Sequence, residues 1–166
     1  MPERSFFFDT VTLANFALAD AMHLLVDRYG QGAVLPPEVL VEVDNGIAAG
    51  RQRLQVIEHL VANKQLTATQ LTPEERRSKT LLLHSLGAGE ASCIACAIHR
   101  QGIVVTDDRA ARKACAEHDI SVTGTIGILL ALVREQTLSG DNADTLLAKM
   151  VKQGFYSPVV LITCLL

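Results

Sequence analysis

The sequence predicts an α/β fold, a three-layer α/β/α sandwich built on a central parallel sheet. Short apolar runs alternate with longer segments of helical periodicity, which is typical of a parallel sheet covered by helices. The run at 102–105 is apolar at consecutive positions, as expected for a strand buried on both faces. Hydrophobic residues make up 49% of the chain and aromatic residues only 4%, so the core is expected to be aliphatic.

The length of 166 residues predicts a single domain over residues 1–166, without linkers or repeats. No apolar run approaches the roughly 20 residues that a membrane helix needs. Asp9 interrupts the aromatic run near the start, which is unlike the apolar part of a signal peptide. We therefore expect a cytoplasmic protein with no membrane contact. The net charge of −3 argues against binding of nucleic acid by bulk positive charge, but it allows a local basic face.

Four short strands are predicted from apolar runs that end in polar or turn-forming residues: 5–8, 33–35, 102–105 and 120–122. The first strand leads into Asp9, and the third leads into Asp107-Asp108. The polar, threonine-rich segment 63–70 is predicted to be the least structured part of the chain. The apolar tail 158–166 is expected to be a final strand or helix packed on the core, or else a self-association surface.

Helices are predicted between these strands and after the last one. Periodic apolar residues predict one helix between the first strand and Gly30, and the Pro-Pro pair at 36–37 starts a second. Thr72 and Glu75 form the capping box of a helix that runs to about residue 84. The remaining helices are expected at 51–62, 88–100, 108–118, 125–135 and 141–152.

The four cysteines give little indication of metal or disulfide chemistry. Cys93 and Cys96 form a CxxC pair, but they lie inside a predicted helix and no second pair accompanies them. Cys115 and Cys164 are isolated in the sequence. All four are expected to be buried, apolar thiols.

Carboxylates follow two of the predicted strands and occur on two helices. Asp9 and the pair Asp107-Asp108 follow strands, Glu90 lies in the first turn of helix 88–100, and Glu42 lies opposite the apolar stripe of its helix. The carboxyl ends of parallel strands meet at one edge of the sheet, so these groups are expected to converge. Converging carboxylates repel one another unless some are protonated or a cation holds them. Oxygen ligands without histidine or cysteine favour Mg²⁺ or Mn²⁺, which can activate water for phosphodiester hydrolysis.

Each of these acids also has an ordinary structural interpretation when it is taken alone. Asp9 or Asp107 would be a helix N-cap or a turn residue. Glu42 would be a solvated helix position, and Glu90 would interact with the helix dipole. Only the joint pattern favours an active site.

Five segments resemble, in order, the pattern of PIN-domain proteins: FFFDT, LPPEVLVEV, LGAGEASCIACA, VVTDDRAARKACA and GTIGILLALV. Together they cover the chain from about residue 6 to residue 155. The similarity is to compact PIN-like proteins described as nucleic-acid binding. PIN domains are typically Mg²⁺- or Mn²⁺-dependent ribonucleases, and many bacterial ones are toxins of toxin–antitoxin pairs. The resemblance therefore implies an RNA substrate and an antitoxin protein as a candidate partner.

On this resemblance, the implied catalytic acids are Asp9, Glu42, Glu90, Asp107 and Asp108, and all of them except Glu42 are implied metal ligands. Many PIN nucleases have aspartate where Glu90 stands, so the side chain here is one methylene longer. The family pattern Thr-x-Asp favours Asp108 as the last ligand, whereas Asp107 directly follows the hydroxyl residue. Both therefore stay candidates.

The candidates for contact with nucleic acid lie beside these acids. Thr10 and Thr106 would supply supporting hydroxyl groups. Arg109, Arg112 and Lys113 recur at i, i+3 and i+4, so they form one edge of the predicted helix 108–118. That edge suits contact with phosphates, or alternatively it is a solvated face with local ion pairs.

The leading hypothesis is thus a metal-dependent ribonuclease that uses Mg²⁺ or Mn²⁺. The alternative is a catalytically silent PIN-like module that binds nucleic acid or protein. A third hypothesis is a small-ligand domain that uses the helix start at Gly124 as an anion site. The apolar tail and the aliphatic composition also favour a homodimer.

Overall fold

Within residues 4–166, which this computed structural model describes, the central sheet has five strands. They are β1 (Phe6–Phe8), β2 (Ala33–Leu35), β3 (Thr67–Ala68), β4 (Ile103–Val105) and β5 (Val122–Thr123). All pairings are parallel, and the spatial order is β3-β2-β1-β4-β5. The chain leaves β1 in one direction for β2 and later returns to its other side as β4. In such sheets a crevice opens beyond the carboxyl ends of the two strands at this switch point.

Nine α-helices surround the sheet in the described part of the chain. They are α1 (Thr10–Leu18), α2 (Met22–Tyr29), α3 (Pro37–Ala48), α4 (Gln55–Ala62), α5 (Pro73–Leu82), α6 (Ala88–Arg100), α7 (Arg109–Glu117), α8 (Thr125–Arg134) and α9 (Gly140–Lys152). Short 3-10 turns occur at Gly30–Gly32, Gln52–Leu54 and Thr163–Leu165. The predicted α/β/α architecture with a parallel sheet is therefore confirmed. One buried apolar cluster joins these elements, which supports the proposal of a single domain.

The prediction of one helix between β1 and Gly30 was wrong, because α1 and α2 are separate helices. Asp20 adopts a left-handed conformation with φ of 56°, which α-helical backbone does not allow. The N–H of Asp20 donates to the carbonyl of Ala17, and the N–H of Ala21 donates to that of Phe16 at 2.8 Å. Aspartate tolerates this conformation better than most residues, so the chain turns here while its apolar pattern continues.

The segment predicted to be least structured, 63–70, contains the edge strand β3. Thr67 and Ala68 pair with Val34 and Leu35 of β2. The strand has only two residues, one threonine and one alanine, so its own pattern does not indicate pairing. Arg100, at the end of α6, donates to the Thr69 hydroxyl and to the Gln70 carbonyl, both at 2.8 Å. The ordering of this segment therefore comes from partners that are distant in sequence.

The tail forms neither the strand nor the α-helix expected of it. Only its last residues adopt a 3-10 turn, and Ile162 is its one fully buried side chain within 158–166. The carboxylate of Asp144 on α9 accepts from the backbone N–H groups of Ile162 and Thr163 and from the Thr163 hydroxyl. The tail is thus held by hydrogen bonds to the Asp144 side chain rather than by regular backbone pairing.

Three of the four cysteines are buried as predicted, but Cys164 in the tail is exposed. All four thiols are free. Burial raises the pKa of Cys96 to about 12 and that of Cys115 to about 11, so both remain protonated. The CxxC pair therefore belongs to the packing of α6. No helix within residues 4–166 combines the length and the apolar character that crossing a membrane requires.

Candidate active site

The ends of β1 and β4 lie side by side and bring two polar residues together. Phe8 is in register with Val105, and the N–H of Asp9 donates to the Val105 carbonyl at 3.0 Å. Asp9 and Thr106 are thus the first residues beyond two adjacent strands. The Thr106 hydroxyl donates to Oδ2 of Asp9 in a short hydrogen bond.

Asp9 is almost completely buried, with 2% of its surface exposed. Its Oδ1 accepts the N–H of Thr12 at 2.8 Å, which caps the start of α1. Burial disfavours the charged carboxylate more than these hydrogen bonds favour it. The pKa of Asp9 is therefore raised from 3.8 to about 6.

Glu42 connects three helices at this edge of the sheet. It lies on α3, accepts the Thr10 hydroxyl of α1 at 2.6 Å, and accepts the backbone N–H of Gly89 on α6 at 2.9 Å. The carboxylate thereby fixes the first turn of α6, which carries Glu90. The predicted role of Glu42 as one of the catalytic acids stays a prediction.

Glu90 is half-buried beside two other carboxylates. Burial raises the pKa of Glu90, and the negative charges of Asp108 and Glu42 raise it further. The acids of α3, of α6 and of the segment after β4 are therefore near enough to act on one another electrostatically. A cation bound there would relieve the repulsion among them.

The adjacent residues Asp107 and Asp108 occupy different environments. Asp108 is exposed and caps α7 by accepting the N–H of Ala111 at 2.8 Å. Asp107 points toward α1 and α8, where it accepts from four donors: the Thr12 hydroxyl, the Asn15 amide, the Thr125 N–H and the Thr125 hydroxyl. Asn15 also donates to the Thr125 hydroxyl at 3.0 Å, so the network closes on itself.

This network leaves no room for the small anion considered at the start of α8. A Cβ atom on Gly124 would collide with Oδ1 of Asp107 and would lie 2.8 Å from the Thr106 carbonyl oxygen, so only glycine fits. The N–H of Thr125 is already bound by the Asp107 carboxylate at 2.9 Å. The helix start therefore binds an anion of the protein itself.

A cleft of about 500 Å³ opens over three of the five acids but not over Asp9 and Glu42, and its walls also carry positive charge. Glu90, Asp107 and Asp108 line it, together with Arg51 and Arg109. A second cleft, of about 330 Å³, shares Asp107 and Arg109 with the first and adds Arg112. Lys113 is exposed on the same helix as these two α7 arginines.

The two threonines predicted beside the acids contact carboxylates. Thr10 donates to Glu42, and the fully buried Thr106 donates to Asp9 and accepts the N–H of Asp108 at 3.1 Å. Both hydroxyl groups therefore orient a carboxylate, which is the supporting role that the sequence predicts for them. Their contact with nucleic acid stays a prediction.

Sequence reasoning missed several polar residues of this edge: Thr12, Asn15, Arg51 and Thr125. Asn15 gave a signal, because an asparagine among the apolar residues of α1 is buried and must find hydrogen-bond partners. Arg51 gave none, because it lies outside every motif and reaches the cleft from the loop after α3.

The acids do not form a preassembled metal cage. Among residues 4–166, no group of three or more His, Cys, Asp or Glu side chains is arranged to hold an ion. The donor set nevertheless suits a divalent cation chemically, since all the donors are oxygens and burial or mutual charge raises the pKa of Asp9 and Glu90. Mg²⁺ typically keeps several waters and binds through one or two carboxylates plus substrate phosphates.

A family model described as PIN domain matches residues 5–166, nearly the whole chain. The chain belongs to the PIN-domain family. Members of this family are generally nucleases and typically use divalent metal ions, so the family points to nucleic-acid binding. The resemblance inferred from the five sequence segments is thereby confirmed.

A solved structure has a similar fold. The crystal structure of PAE2754 from Pyrobaculum aerophilum is similar with a TM-score of 0.52, covering 79% of this chain and 90% of that chain at 14% identity. At this identity the likeness shows a common fold. No curated protein is similar enough in sequence to match the chain.

Proposed function

We propose that this PIN domain is a Mg²⁺- or Mn²⁺-dependent ribonuclease that hydrolyses RNA phosphodiester bonds. The observation that carries the proposal is the environment of Glu90. Its pKa is raised by burial and by the charges of Asp108 and Glu42, and it faces a cleft that Arg51 and Arg109 also line. Acids in mutual repulsion beside cations suit a site that receives a metal ion and a phosphate together.

The proposed metal ligands are Asp9, Glu90, Asp107 and Asp108. Their oxygen atoms match the preference of Mg²⁺ and Mn²⁺, and each carboxylate oxygen can accept more than one partner. When bound, such an ion lowers the pKa of water and stabilises negative charge that develops on the phosphate. Asp108 is the ligand best placed to act with Glu90, because its charge already affects the pKa of Glu90.

The remaining steps use side chains of the protein itself. Glu42 holds the first turn of α6 against α1, and Thr106 orients Asp9. Glu90, with its raised pKa, would accept the proton of the attacking water at its carboxylate. The water oxygen bonds to phosphorus as the bond from phosphorus to the leaving ribose oxygen breaks, and that ribose oxygen takes a proton from solvent. Arg51 and Arg109 would neutralise the phosphate oxygens.

We expect Glu90→Gln to lower the rate of manganese-dependent RNA cleavage by about 100-fold or more, because it removes both the charge and the proton acceptor. The assay follows a labelled single-stranded RNA in EDTA and then with Mn²⁺ or Mg²⁺. Glu117→Gln is the matched control, since Glu117 is exposed at the far end of α7. Its activity should equal that of the parent protein.

The second candidate is a catalytically silent PIN module, which the lack of a preassembled three-acid group within residues 4–166 favours. Calorimetry with Mn²⁺ distinguishes the two. If the parent protein binds Mn²⁺ and Glu90→Gln does not, the result supports the nuclease. If Mn²⁺ at millimolar concentration releases no heat and several classes of RNA stay intact, the nuclease proposal is wrong.

We extend the proposal to a cytoplasmic toxin of a toxin–antitoxin pair. Induced expression should then stop cell growth, Glu90→Gln should remove this effect, and a small DNA-binding protein encoded next to the gene should neutralise it. Homodimer formation also stays a proposal. Its direct test is sedimentation equilibrium across a range of protein concentrations.

A further inference from the structure

The most exposed aromatic side chain in the described part of the chain lies at the active-site cleft. Tyr156 is 94% exposed, whereas its neighbour Phe155 is only 8% exposed. Both residues line the cleft of the acids and also the second cleft, and Arg109 lines both clefts with them. The Tyr156 ring therefore stands at the boundary between two clefts.

The backbone fixes the position of this ring. Gly154 adopts φ of 114° after the end of α9, a conformation that favours glycine. The N–H of Phe155 donates to the Met150 carbonyl and that of Gly154 to the Val151 carbonyl, both at 3.0 Å. This is a Schellman motif, in which Phe155 packs inward. Tyr156, the next residue, is directed outward by the same turn.

The charges around the ring suit one class of occupant. Arg51 lines the first cleft, Arg112 lines the second, and Arg109 lines both. An exposed aromatic face flanked by guanidinium groups is the arrangement that binds an unpaired base and its neighbouring phosphates. An apolar protein surface would gain from the ring, but it would cover the charged side chains of both clefts, the acids and the arginines alike.

We propose that Tyr156 is a specificity-determining residue that stacks on an unpaired base next to the scissile phosphodiester. This inference rests on the proposed function. The base occupies the ring face while the phosphates on its two sides reach Arg109 and the acidic cleft. A base inside a duplex is already stacked on both sides, so the site selects single-stranded over double-stranded RNA.

The composition of the chain allows a direct measurement. It has two tyrosines and no tryptophan. Tyr29 is packed against Phe6 and Phe8 and accepts a hydrogen bond from Arg28. In Tyr29→Phe, tyrosine fluorescence therefore reports on Tyr156 alone. Titration in EDTA with a single-stranded RNA should quench it, and a duplex of the same length should not.

The binding constants test the ring itself. By fluorescence anisotropy in EDTA with the same labelled RNA, Tyr156→Ala in the otherwise unchanged chain should bind about tenfold more weakly, as expected for the loss of one base stack. Tyr156→Phe should bind like the parent. Val160→Ala is the matched control, because Val160 lies nearby in the tail and is likewise highly exposed, at 85%, and its change should leave binding unaltered.

The result separates this inference from the proposed nuclease. Quenching by single-stranded RNA together with absent cleavage would support the stacking role and contradict the nuclease. Cleavage with equal KM for parent and Tyr156→Ala would contradict the stacking role alone, whereas a raised KM with kcat retained supports it. If the fluorescence of Tyr156 changes when the protein concentration is raised in the absence of RNA, a second copy of the chain covers the ring. That result also overturns the proposal.

Discussion

Asp9→Asn should abolish metal-dependent RNA cleavage and, in metal-free buffer at pH 8, should make the protein more stable than its parent. The pKa of Asp9 in the folded state is about 6 rather than 3.8, a difference that corresponds to about 3 kcal/mol. Because the folded-state pKa is above the unfolded value, the folded state binds the proton more tightly. The contribution of Asp9 to stability is therefore highest below pH 3.8 and falls as the pH rises to about 6. Asparagine stays neutral and can still cap α1.

Thermal unfolding of both proteins in EDTA from pH 4 to pH 8 measures this effect. The gain in stability of Asp9→Asn should be largest above pH 6 and should narrow toward pH 4. Added Mn²⁺ should stabilise the parent more than the variant, since the ion removes the same electrostatic penalty. Asp108→Asn is the matched comparison, because Asp108 also caps a helix through its carboxylate but is exposed. It should show no such gain at pH 8.

A loss of stability for Asp9→Asn that is equal at all pH values would contradict this prediction. Asp9 would then act as an ordinary N-cap whose charge is not disfavoured. A gain in stability with cleavage retained would instead contradict the proposed role of Asp9 as a ligand. The two readouts together thus separate its structural contribution from its chemical one.

The sequence allowed the acids to be placed because their positions depend on local patterns. An apolar run followed within two residues by aspartate marks the carboxyl end of a buried strand. Asp9 directly follows β1, and Asp107 follows β4 after Thr106. In a parallel sheet such ends share one edge, so their proximity followed without knowledge of the tertiary packing. The Thr72–Glu75 capping box could likewise be predicted from the sequence, since both partners lie within one helical turn.

The features that were missed depend on contacts across the sheet. Asp107 meets Asn15 and Thr125 only because α1 and α8 both approach the end of β4. Strand β3 forms because β2 offers a free edge. Neither contact leaves a periodic signal in the sequence. The positioning network of the site therefore became visible only in the structure.

Arg100→Ala should lower the free energy of unfolding by about 3 kcal/mol, since it leaves a buried carboxylate without its partner. Arg100 donates to both oxygens of Glu75, at 2.6 and 2.8 Å, and Glu75 is only 1% exposed. The same guanidinium also binds the Thr69 hydroxyl and the Gln70 carbonyl just after β3. Hydrogen exchange should therefore accelerate at the Thr69 amide, which donates to the Leu35 carbonyl.

The Arg28–Glu135 pair is the matched control for Arg100→Ala, because it has the same two-bond geometry, at 3.1 and 2.7 Å, at a more exposed place. The Glu135 side chain is 49% exposed, so Arg28→Ala should cost less than about 1 kcal/mol through this pair. Equal losses in the two variants would contradict the role assigned to burial. A larger loss for Arg100→Ala, partly recovered when Glu75 is also changed to Gln, would show that the unpaired charge of Glu75 causes it. Faster exchange at the Thr69 amide in Arg100→Ala would show that β3 depends on this arginine as well as on its pairing with β2.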